Sequence, residues 1–102
     1  MSYIEELGEA IRRLYGVEAT HVESVPAKET FQGKTIWEGM VEVFELHGHS
    51  QAKRAYAWSH ETDDGKTRYV AALHLGPITS AITAVRAAIV QEFKFRKPTM
   101  TR

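Results

Sequence analysis

A chain of 102 residues with 43% hydrophobic and 25% charged side chains fits a single folded domain and argues against a disordered chain. It contains no cysteine, which excludes a disulfide framework, thiolate chemistry and a cysteine-based zinc site, and fits a reducing, cytoplasmic setting. Net charge is zero but divided: residues 1–50 sum to −5 and residues 51–102 to +5, so the halves either neutralise each other across the fold or leave a basic face.

The chain opens on a helix. Ile4, Leu7, Ile11 and Leu14 recur at helical spacing, with Glu5, Glu9, Arg12 and Arg13 on the other side. Ser2 and Glu5 have the spacing of a capping box and Gly16 supplies a left-handed stop, which predicts a helix from Tyr3 to Tyr15. The three glutamates within this stretch are incompatible with a signal peptide. No apolar run along the chain approaches the roughly 20 residues that a bilayer requires, so no membrane partner is expected.

Glu18–Val25 reads as a strand broken by Pro26, a residue that belongs at an edge or a bulge. Gln32–Gly33 is a turn into a long strand, Thr35–His47. Within it Trp37, Val41 and Val43 share one parity while Ile36, Met40, Phe44 and Leu46 share the other. A half-buried strand would alternate with polar residues. Either a bulge near Val43–Phe44 switches the inward parity or both faces are buried, and burial on both sides is the reading we favour.

After a loop at His47–Ser50, Lys53–His60 and Lys66–Leu75 form a hairpin around Asp63-Asp64-Gly65. A two-residue turn at Asp64–Gly65 pairs Tyr56 with Leu73 and Trp58 with Ala71. It puts Tyr56, Trp58, Tyr69, Leu73 and Leu75 on one face. A three-residue loop would shift the register by one residue. Gly76–Pro77 ends the sheet, and Thr79 or Ser80 caps a second helix with the stripe Ile82, Val85, Ile89 and Phe93. Pro98 is expected to end it, leaving residues 98–102 as a flexible tail behind a single domain at 1–97.

The order α-β-β-β-β-α predicts an α+β fold: a four-stranded antiparallel meander sheet with the N- and C-terminal helices packed on one face. The uncovered face would then carry either the aromatics or the alanines. Such a surface points to self-association, so the leading expectation is a non-catalytic interaction module, a homodimer joined through its sheet face.

Trp37, Tyr56, Trp58, His60 and Tyr69 are the residues expected at that interface. They would alternatively line the pocket of a small-molecule-binding domain or enzyme. His47 and His49 form a His-x-His pair of the kind that can begin a metal site, but glycine-containing loops more commonly hold such histidines as solvated turn residues. No metal or other cofactor is therefore expected. Glu38, Glu42 and Glu45 read as a solvated strand edge.

Lys94, Arg96 and Lys97 form a basic helix end that could meet a nucleic-acid backbone. In outline the element order resembles that of double-stranded RNA-binding domains. Where those carry a Lys-Lys-x-Ala-Lys run, this chain has Thr79-Ser80-Ala81-Ile82-Thr83, and it has an extra strand, which argues against that partner. Nucleophilic triads, phosphate-cradling glycine loops and dinucleotide fingerprints are missing from the sequence.

Overall fold

A computed structural model describes residues 2–100, with side chains described through residue 91. Helix α1 (Tyr3–Tyr15) is followed by strands β1 (Glu18–Phe31), β2 (Lys34–His47), β3 (Arg54–Glu61) and β4 (Thr67–Leu73), and then by helix α2 (Ala81–Met100). The strands form one antiparallel meander in the order β1-β2-β3-β4, as the sequence predicts. Among the described residues, no helix is long and apolar enough to cross a membrane.

The first helix is built as its sequence implies. Ser2 Oγ accepts from the Glu5 amide at 3.1 Å while Glu5 Oε1 accepts from the Ser2 amide at 2.8 Å, and Gly16 closes the helix at φ 72°. Of the two candidate caps for α2, Ser80 is the one used: its Oγ accepts from the Thr83 amide and its carbonyl from the Ala84 amide. Helix α2 continues past Pro98, where the sequence predicts a stop. The side chains of Lys94, Arg96 and Lys97 and residues 101–102 of the expected tail lie outside the described residues.

The two helices do not share a face of the sheet, contrary to the one-sided packing expected from sequence. Leu7 and Ile11 of α1 pack on Phe44, Leu46, Ala55 and Ala57. Ala81, Ala84 and Val85 of α2 pack on Val41, Val43, Tyr56 and Trp58. Adjacent strand residues point to opposite faces, so these are two separate cores with the sheet between them. The reason lies in β2, where Val41, Glu42, Val43 and Phe44 are all buried. One helix could have covered only half of that apolar surface. The alanines admit α1 closely, and the second layer that the aromatics require is the chain's own α2.

Register explains the rest. Strand β1 runs through Pro26 instead of stopping there. The Leu46 amide donates to Lys53 O, so the even-numbered residues of this part of β2 turn their backbone groups toward β3. Met40 is one of them, and Pro26, directly opposite it, therefore faces away from β2 toward the sheet edge. A proline there forfeits no ladder hydrogen bond.

The β1–β2 ladder shifts twice. One extra residue, Val22, stands across from the Val43–Phe44 junction, and another, Ile36, stands across from Glu29–Thr30. The first falls across from the position where a bulge is one of the two sequence alternatives, but it lies in the partner strand. Both extra residues are among the exposed large apolar side chains.

The β3–β4 loop is the three-residue form. Thr62 N–H donates to Lys66 O around Asp63, Asp64 and Gly65, with Gly65 at φ 81°. Tyr56 consequently pairs with Ala72, Trp58 with Val70 and Ser59 with Tyr69. This one-residue shift corrects the expected pairing and moves Tyr69 to the α1 face, away from Tyr56 and Trp58.

Candidate interaction surface

Two of the aromatic residues expected at the interface, Tyr56 and Trp58, are core. Trp58 is 3% and Tyr56 5% exposed beneath α2. Trp37 meets Trp58 edge-on at 6.0 Å between ring centroids, an arrangement that favours the positive ring edge over the negative face. The Tyr56 hydroxyl is hydrogen-bonded to His74 Nδ1 at 2.7 Å. Burial is the main reason its pKa rises above the ordinary tyrosine value; Arg54 offsets part of the shift and Glu23 adds to it. His60 continues the parity of Trp58 at the end of β3, half-buried, opposite Arg68. On the other face, the Tyr69 hydroxyl donates to Glu6 Oε1 at 2.8 Å, and that bond raises its pKa most, with burial second.

The remaining candidates are dispersed. His47 Nε2 lies 2.6 Å from Thr20 Oγ1, whereas His49 Nδ1 accepts from the amides of Gln51 and Ala52 and so braces its own loop. Among the described residues, no group of three or more His, Asp or Glu side chains is placed to hold a metal ion. Lys94, Arg96 and Lys97 have no described side-chain positions.

Sequence reading missed a buried polar group on the α1 face. Glu42, expected on a solvated edge, is 5% exposed, and its Oε1 accepts from His21 Nε2 at 2.7 Å and from Ser24 Oγ. His21 also packs edge-on against Phe44. Partnering makes this burial tolerable, since a carboxylate taken out of water without donors would cost several kcal/mol, of the order of ~3–5. No local motif announces the trio: Ser24 meets Glu42 directly across the ladder, and the bulge at Val22 displaces His21 by one position.

Beyond Glu42 the cover on this face ends. The β2–β3 ladder spans only Glu42–Glu45 with Arg54–Ala57. Farther along β2, Met40 is 48% exposed, directly opposite exposed Pro26, and Glu38 stands opposite Lys28. These four residues, with Ala27 and Gly39, line a shallow depression of about 290 Å³. The apolar centre and paired flanking charges together resemble the core and rim of a small protein contact. No known protein family, curated protein or solved structure compared with the chain matches it.

Proposed function

We propose that the protein is a non-catalytic interaction module that homodimerises through the part of its sheet face that α1 leaves uncovered. The observation carrying this reading is Met40, half-exposed beside Pro26 on a strand whose next four residues are all buried. A two-fold contact is self-complementary by necessity. Each copy offers Pro26 and Met40 as an apolar centre and one Lys28–Glu38 pair as a rim, so a facing copy can set Lys28 against Glu38 and Glu38 against Lys28. Such rim charges mainly fix orientation, while the apolar centre supplies most of the contact energy.

The chain has no cysteine, so a single introduced thiol reports this contact cleanly. Met40→Cys under mild oxidation is expected to yield an interchain disulfide dimer that retains the native fold. A variant that stays a monomer under oxidation would place any self-contact elsewhere.

A further inference from the structure

Strand β4 is an outer edge of the sheet. Its ladder phase follows from two bonds at its ends, Thr62 N–H to Lys66 O and His74 N–H to Arg54 O. Residues 66, 68, 70, 72 and 74 therefore turn their backbone groups toward β3, and Thr67, Tyr69, Ala71 and Leu73 turn theirs toward the open edge.

Two of those outward positions are partly occupied. The Tyr15 hydroxyl donates to Ala71 O at 3.0 Å, and the Leu75 amide donates to Leu73 O at 2.9 Å. Thr67 and Tyr69 remain, each offering an N–H and a C=O. Tyr15 thus marks where a further strand would have to stop.

A shallow groove of about 550 Å³ lies beside this open stretch, between α1 and the start of β4. Ala10, Leu14 and Tyr69 give it an apolar side, with Leu14 more than half exposed. Arg13, Lys66 and Arg68 give it a cationic rim that outweighs the single carboxylate in its lining, Asp64, and none of the three cations makes an ion pair among the described residues. Lys66 and Arg68 share one parity, and Thr67 and Tyr69 share the other.

We propose that β4 accepts an extended acidic peptide as a fifth strand, paired to Thr67 and Tyr69. Alternate acidic side chains of the peptide meet Lys66 and Arg68, and the intervening apolar ones rest on Leu14 and Ala10. The backbone ladder supplies affinity and the two alternating sets of side chains supply selectivity. This surface is separate from the Met40 contact and stands or falls independently of it.

The test uses a short capped, fluorescently labelled peptide of alternating Val and Glu, titrated into the full chain at low salt. Saturable binding is expected, with chemical-shift changes centred on the Thr67 and Tyr69 amides. Affinity should fall by about tenfold or more in a Lys66→Glu/Arg68→Glu variant, and binding should vanish when alternate peptide amides are N-methylated. Met40→Asp should leave the affinity unchanged. Equal binding of the peptide with Lys in place of Glu would overturn the proposal, as would insensitivity to N-methylation. A single-stranded oligonucleotide that shifts the same residues where the peptide does not bind would also overturn it.

Discussion

At the scale of single residues, the most exacting fit is around the tryptophan pair. Gly39 lies on the same strand face as Trp37, and a Cβ there would sit 3.1–3.2 Å from the Trp37 ring. The ring folds back over the glycine to reach Trp58, so a methyl group here would force the ring to give way by a few tenths of an ångström. Gly39→Ala is expected to push Trp37 off Trp58 and destabilise the fold by about 1–3 kcal/mol. The check is a denaturation midpoint read together with tryptophan emission, which should shift as the ring moves toward water; an unchanged midpoint would mean that the ring packs elsewhere. The aromatic residues themselves were legible in the sequence, but their surroundings were not. Tyr56 and Trp58 have the same residue types whether they face solvent, a partner or α2, and only the placement of the second helix decides. Glu42 was illegible for a related reason, because its donors His21 and Ser24 come from another strand, on either side of a bulge.

At the scale of elements, α1 follows local rules from cap to cap and was legible almost to the residue. Its one departure from helix chemistry is Gly8, whose added Cβ would lie 3.8 Å from the Phe44 ring, an ordinary contact. Gly8→Ala is therefore expected to stabilise the protein by roughly 0.5–1 kcal/mol, since it removes unfolded-state entropy without a clash. A lower melting temperature would show that α1 lies closer to the sheet than this. Helix α2 is tied to β1 by Arg86, whose Nε donates to Glu29 Oε2 at 2.6 Å. That hydrogen bond holds the Glu29 carboxyl below its ordinary pKa of 4.5. A carboxylate with a depressed folded-state pKa stabilises the fold fully above its unfolded value and loses that contribution as pH falls through the folded one. Glu29→Gln should accordingly lower the denaturation midpoint at neutral pH. The gap from the parent protein should close as the pH drops below 4.5, and a gap independent of pH would exclude this pair as its source. The strands were legible as elements, except that β1 continues past Pro26 to Phe31, but not in register. Whether the Asp63–Gly65 loop holds two residues or three is a difference that residue types alone do not decide, and one residue of slip carried Tyr69 to the other face.

At the scale of the whole molecule, the sheet separates two cores, each closed by one helix. The apolar excess in β2, visible in the sequence as two apolar parities, is the cause of this arrangement. It also relocates the surface expected to self-associate: Tyr56 and Trp58 are enclosed beneath α2, and Met40 and Pro26 are among the apolar residues that the helices leave open. The arrangement of helices was hidden in the sequence because amphipathic stripes state that a helix must be covered, not which side of a sheet covers it. Native mass spectrometry of the parent protein beside Met40→Asp and Trp58→Asp tests this account most directly. A dimer is expected for the parent, a folded monomer for Met40→Asp, and loss of the compact fold for Trp58→Asp, whose charge would enter the core beneath α2. A monomeric parent, or a Met40→Asp variant that remains a dimer, would contradict it.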